Sequence, residues 1–410
     1  MKSFIIEGNI VNYEGELYGQ VEINPATGMI ERVGSALGKA DYKFPDCLIF
    51  PGFIDVHVHA RQDVSGKENY KEDFETLSRA AIHGGVVAVA DMPNNPVPPV
   101  DEESYLAKTE LAKGAAIDVV FYAAIKPGTK PLVQRVPYKA FMGRSVGEVF
   151  FDSRKKLEET LRDYAGQSVS FHAEDPEILA DHEEEATHEL RRPAEAEIRG
   201  IEFALYLIEK YKLRGKICHL STAEGLSQIR AAKGKGVDVT AEVTPHHLYF
   251  DESALGQERD LMQVNPPLRL SSDREALIEG LRDGMIDFLA SDHAPHTLQE
   301  KRKGISGMPH LDTYGAFITW LIKEKGIEAR SVARFCGENP GNFLAEFAGN
   351  AKYGKIADGF AASFSVLDIS RPATIRNEDI KSKCAWSPFA GVTFPGRVAA
   401  TVVRGKVYKA

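Results

Sequence analysis

Between residues 53 and 293, short apolar runs alternate with segments of helical period. The strand-like runs are FIDVHVHA (53–60), VVAVADMP (86–93), IDVVFYAAI (117–125), YKAFM (138–142), SVSFHAE (168–174), KICHLST (216–222), DVTAEVT (238–244) and IDFLASDH (286–293). Helical segments fall between most of them, including 153–166, 195–212 and 272–284. In the second of these, Ile198, Ile201, Leu205 and Ile208 lie along one side, and the third opens with a capping-box pattern from Ser272 to Glu275. Strands and helices that alternate pack as a parallel sheet with helices outside it, and eight such units over about 290 residues fit a closed barrel. The expected fold class is therefore α/β, a (β/α)8 TIM-like barrel over residues 51–349. Gly84-Gly85 predicts a tight helix-to-strand turn. The first 50 residues and the last 60 instead read as short strands split by turns, such as FIIEGNIV, SFSVLDI and RVAATVVRGKVYK. Chain ends often lie close together, so residues 1–50 plus 350–410 are expected to form one small, sandwich-like β-domain.

Polar residues at the strand ends point to the chemistry. Side chains at i, i+2 and i+4 of a strand share a face, so Asp55, His57 and His59 point the same way. Barrel active sites sit at the C-terminal ends of the strands. Read in order, those ends carry His57 and His59, Lys139, His172, His219 and Asp292. One histidine at a strand end is more often a hydrogen-bonded core residue, but their joint placement at one mouth predicts a metal site. Imidazole and carboxylate ligands suit zinc, with nickel, manganese or iron(II) as substitutes. Six protein groups exceed the roughly three or four that one catalytic zinc uses. Two Zn2+ ions per chain would use them all: His57, His59 and Asp292 on one, His172 and His219 on the other. An ammonium cannot bridge two cations, whereas an N6-carboxylated Lys139 is an anion with two oxygens. The alternative for Lys139 is a structural lysine.

Composition narrows the partners. The net charge of −9 argues against nucleic acid or an anionic membrane. HEEEATHE (182–189), the most acidic run, reads as a solvated face or loop. Cys47, Cys218, Cys336 and Cys384 are scattered with no CxxC pair, which suits a reducing compartment. The N-terminus lacks a long apolar signal segment, and no stretch reaches the roughly 18 apolar residues of a membrane span. A cytoplasmic location is expected.

The stretches DVHVHAR, DMPN, KAFM, FHAED, HLST, VTPHHL, VNPPLR and ASDHAPHT, with GKIADGF and CAWSPFAG in the tail, resemble the cyclic amidohydrolases. Within that family the chain is most similar to the dihydroorotases, and the likeness covers nearly its whole length. The resemblance implies a barrel with a β-domain from both ends, a binuclear zinc centre and a carboxylated lysine. It implies a small-molecule reaction, the reversible interconversion of N-carbamoyl-L-aspartate and L-dihydroorotate in pyrimidine synthesis. It leaves room for a homodimer or for association with aspartate carbamoyltransferase. By the same analogy Arg61, Asn94, Asn265 and His296 bind substrate, with backbone near Lys303 and Gly304 touching it. Two departures stand out. Many relatives continue HxR with Glu-Pro, where this chain has Gln62-Asp63. The loop after the lysine, which in relatives carries Thr or an aromatic residue, here reads GRSVGEV with Ser145 and Val146.

Opening a cyclic amide needs a nucleophile, charge stabilisation on the carbonyl oxygen and a proton for the leaving nitrogen. Asp292 is the candidate base and then acid. Dihydroorotate differs from dihydrouracil by a carboxylate, which Arg61 suits. A structural ion pair of Arg61 with Asp63 or Glu174 is the alternative. Allantoinase and dihydropyrimidinase or hydantoinase activities remain as other readings. A catalytically silent scaffold that binds a pyrimidine-pathway enzyme is another, although such relatives should lose ligands and this chain keeps all six. Asp55 is a candidate orienting group for the metal ligands. One of His246 and His247 is expected to hydrogen-bond across the mouth. His293 is expected to point away, and His83, His182, His188 and His310 to be surface or structural residues.

Overall fold

The computed structural model describes residues 2–145, 148–256, 258–349 and 351–409. Parallel strands occupy all eight expected barrel positions: Phe53–Val58, Val86–Asp91, Asp118–Phe121, Tyr138–Phe141, Ser168–His172, Arg214–Ile217, Val239–Val243 and Phe288–Leu289. The third is interrupted at Tyr122. Asp118–Phe121 pairs with the second strand, and Ala123–Ala124 continues beside the fourth. Closure is made at His293, which bridges Val58 and whose carbonyl accepts the His59 N–H at 2.8 Å. Every residue of the first two strands is buried. Helices cover the outside and side chains fill the inside, which is why these strands read as unbroken apolar runs rather than as alternating ones.

A seven-stranded sheet joins the two chain ends. Tyr42–Pro51 is its hinge, parallel to Phe4–Asn12 and antiparallel to Phe364–Asp368. Ile6, Val21, Ile49, Val366 and Val402 form its core. Ser365 ties this sheet to the barrel, since its hydroxyl accepts from Phe53 N at 2.8 Å and donates to the Gly85 carbonyl. The turn at Gly84-Gly85 is as expected: Gly85 has φ +84, and a Cβ at Gly84 would collide with the Leu311 carbonyl. Between the last sheet strands the chain returns to the barrel, where Trp386 Nε1 donates to the His296 carbonyl at 2.7 Å.

The helices after the fourth, fifth and seventh strands span Arg154–Leu161, Ala194–Tyr211 and Ser271–Arg282. The capping box expected at Ser272 and Glu275 does not form. The last helix starts a residue earlier, with Leu270 at its N-cap and no side-chain cap. Asp273 instead accepts the N–H of Ala223 at 2.8 Å, so tertiary contact replaced the local cap. No helix among the described residues is long and apolar enough to cross a membrane.

Candidate metal centre

The sixth and eighth strands end before their histidine and aspartate, at Ile217 and Leu289. His219 has φ 36, Asp292 φ 46 and Arg61 φ 61, all in the left-handed region. Such a conformation costs a non-glycine residue about 1–3 kcal/mol and collects at functional sites. Here it breaks the ladder and turns three side chains into the barrel mouth.

Two groups of side chains meet there. His59 Nε2 lies 3.0 Å and His57 Nε2 3.2 Å from Asp292 Oδ1. On the other side His172 Nδ1 lies 2.8 Å from His219 Nε2. The His57 and His219 rings, with centroids 5.5 Å apart, join the groups. Burial brings the His57 imidazole down to about 4, against the pull of Glu242 and Asp292. It also lowers His172, and it takes His219 well below the ordinary range with His172 and Lys139 adding to it. Neutral imidazole is the form that binds metal. For Asp292 burial works upward, but His57 and His59 outweigh it and hold the carboxyl below its usual value. His219 Nδ1 is buried with no hydrogen-bond partner. An orphaned nitrogen beside a His57–His59–Asp292 cluster, whose ligand atoms all lie within 4.8 Å of one another, fits a divalent metal.

Lys139 lies fully buried behind the ligands, and its charge acts on His57, His172 and His219. Its Nζ reaches Cys218 Sγ at 2.8 Å, and among the described residues it has no carboxylate partner. On the solvent side the pocket is lined by Arg61, Asn94, Ser145, Asn265, Ser306 and Gly307 beside the metal-group residues. About 380 Å3 of free space, open solvent included, lies among these side chains. Arg61 is 2 % exposed. Its guanidinium donates to His296 Nε2 at 3.0 Å and the Pro295 carbonyl at 3.3 Å. The suggested ion pairs of Arg61 are absent among the described residues: Asp63 accepts from Ser65 and Val97, and Glu174 is held by Arg192. Asn94 Oδ1 meets His59 Nδ1 at 2.6 Å. Gly304 stands back from the lining, its carbonyl taken by Gln263. Val146 lies outside the described residues.

A family model for the amidohydrolases matches residues 48–408. The chain belongs to the amidohydrolase family. It is 34% identical over 406 residues to a dihydroorotase from Pyrococcus furiosus, covering 98% of this chain and 92% of that one. A dihydroorotase from Thermococcus kodakarensis is also 34% identical, with 99% and 94% covered. An L-hydantoinase (dihydropyrimidinase) structure from Arthrobacter aurescens superposes with a TM-score of 0.91 at 24% identity, over 99% of this chain and 96% of that one. This last likeness shows the shared fold, a barrel with a β-domain from both ends.

In this amidohydrolase several buried charges escaped the sequence reading. Glu242, on the seventh strand, contacts His57 Nδ1, the part expected of Asp55. Asp55 instead accepts the backbone N–H groups of His57 at 3.1 Å and Ser291 at 3.0 Å, so it holds backbone rather than a ring. His172 Nε2 lies 2.8 Å from Glu174, which Arg192 pairs. An acid inside an apolar strand, as in TAEVT, was the available signal for Glu242. His188 and His310 take the structural one of the two expected roles: both are buried, His188 meets the Val264 carbonyl and His310 stacks on His246. His293 points away from the metal group toward Glu72, as expected. His247 Nε2 meets the Pro266 carbonyl at 3.1 Å within the connection that follows the seventh strand, and His246 Nδ1 is the one that leaves it, to lie 2.9 Å from His310 Nε2.

Lys301 anchors the loop that carries Ser306 and Gly307. Its fully buried Nζ donates to the carbonyls of Gln263 at 2.7 Å and Ile305 at 2.9 Å. Burial brings its amine down to about 7. The unfolded chain therefore binds more protons between pH 7 and the ordinary lysine value, and Lys301's contribution to stability rises with pH across that window. Melting wild type and Lys301→Met at pH 6.5 and pH 9 should show wild type gaining on the variant at the higher pH. A constant difference between them would contradict the assignment.

Proposed function

We propose that this amidohydrolase is a dihydroorotase that interconverts N-carbamoyl-L-aspartate and L-dihydroorotate. In this reading His57, His59 and Asp292 would hold one zinc ion, His172 and His219 would hold a second, and N6-carboxylated Lys139 would serve as an anionic ligand to both. When bound, the metals supply Lewis acidity toward a ring carbonyl and make water more acidic near neutral pH. A buried ammonium whose partner is a thiol is costly. As a carbamate anion Lys139 would instead carry a charge that the bound metal cations neutralise.

The chain's own groups carry the remaining steps. In ring opening, water adds to the carbonyl carbon bonded to the ring methylene, and the bond from that carbon to the nitrogen between the two carbonyls is the one that breaks. Asp292 takes the water proton and delivers it to that nitrogen as the carbon–nitrogen bond breaks. Cyclisation runs the same transfers in reverse. Asn94 meets His59 Nδ1 at 2.6 Å and so orients a ligand as well as lining the pocket.

Arg61 carries the choice of substrate. A guanidinium buried beside the metal group, with no carboxylate partner among the described residues, is built to receive one from a ligand. Dihydroorotate offers that group, and dihydrouracil and allantoin do not. The similarity to proteins named dihydroorotase supports the same choice. Steady-state turnover of the three compounds tests it, with dihydroorotate expected to be strongly preferred. Arg61→Met should cost about 1.5–3 kcal/mol, or roughly 10- to 150-fold in kcat/KM for dihydroorotate, and leave dihydrouracil little changed. Preference for allantoin or dihydrouracil in the wild type would refute the reading.

A further inference from the structure

We propose that Glu242 is a positioning residue that couples the two halves of the metal centre. The inference rests on the two-ion reading above. Glu242 is fully buried and absent from the pocket lining, so it acts on ligands and not on substrate. Its Oε1 contacts His57 Nδ1 and accepts the backbone N–H of His219 at 3.1 Å. Its Oε2 is held by Lys216 Nζ, which also reaches the Val56 carbonyl at 3.4 Å. His57 serves one proposed ion and His219 the other. One carboxylate thus fixes a side chain from the first strand and the left-handed backbone that follows the sixth.

The chemistry of the contact sets the tautomer. An ionised carboxylate only accepts, so His57 must donate Nδ1–H to it. That leaves the Nε2 lone pair, 3.2 Å from Asp292 Oδ1, as the one available to a metal. For His219 the same oxygen stabilises a backbone with φ 36. Lys216 supplies the opposite charge that keeps Glu242 ionised in a dry interior. Asp55 is held by the backbone N–H groups of His57 and Ser291 and by the Ser291 side chain, so it does not duplicate this role.

The test compares wild type, Glu242→Gln and the double variant Glu242→Gln/Lys216→Met. Glutamine keeps an acceptor for His57 and His219, but its amide N–H2 then faces the Lys216 ammonium, donor against donor. Removing the lysine relieves that conflict. Zinc per chain is measured during competition with a graded chelator, without substrate, and folding is followed by thermal melting. Glu242→Gln should release zinc about 10- to 100-fold more readily, with both ions leaving together, and the double variant should recover most of the retention. Three results would overturn the proposal: a single variant that retains zinc like wild type, one that loses only one ion, or a double variant that melts like wild type yet fails to recover. A single variant that does not fold leaves the double variant to decide between recovery and failure. Wild type that binds no zinc would instead sink the two-ion reading itself.

Discussion

Asp292→Asn should lower kcat for ring opening by about 10^2–10^4-fold, the usual range for removing a general acid–base group. Asparagine keeps the shape and one oxygen for the metal, but it cannot take up the water proton. Asp292 suits the role because it stands between His57 Nε2 at 3.2 Å and His59 Nε2 at 3.0 Å. Those two imidazoles offset the burial that would otherwise protonate it, so it enters the reaction ionised. Its left-handed backbone, φ 46, aims it inward past the end of the eighth strand. Metal content must be measured beside kcat, because weaker zinc binding would also lower activity. A variant with full zinc and near wild-type turnover would remove Asp292 from the proton path.

Lys139→Ala should lower zinc from about two ions per chain to well under that and take activity with it. Lys139 sits at 0% exposure on the fourth strand, hydrogen-bonded through its side chain only to Cys218 among the described residues. As an ammonium it repels both ions. As the proposed carbamate it would supply the anionic oxygens that His172 and His219 lack. Alanine leaves a space the length of the lost side chain, and a short carboxylic acid such as propionate can place an oxygen pair there. Partial return of zinc and activity with propionate, but not with an equal concentration of chloride, is the expected signature. An equally active variant with unchanged metal content would contradict the bridge.

Acid should act on the same groups. Burial holds the imidazoles of His57 and His247 down to about 4. The unfolded chain binds their protons first, so their contribution to stability is present above about pH 6.5 and is lost as pH falls toward 4. In the proposed zinc centre the His57 proton would compete with the metal, so chelator resistance should fall over the same interval. A melting temperature flat from pH 7 to pH 4.5 in metal-free protein would count against neutral burial of these rings.

The barrel and the polar residues gathered at its mouth were legible because they rest on local periods. Alternation of side chains in FIDVHVHA puts His57 and His59 on one face whatever the neighbouring strands do. The order of strands and helices forces a parallel closed sheet, and parallel strands bring all C-terminal ends to one mouth. Glu242, Lys216, Cys218 and Arg192 were not legible in this way. Their partners lie on other strands or loops, and the pairing depends on barrel register and on where strands stop. The sixth and eighth stop early because His219 and Asp292 adopt left-handed backbone, which no local propensity signals. The sequence determined which groups could face the mouth, since side-chain direction along a strand is fixed by covalent geometry. Only the tertiary structure decided which carboxylate holds which imidazole and that Arg61 is buried without a carboxylate among the described residues, because those are distances between segments far apart in the chain.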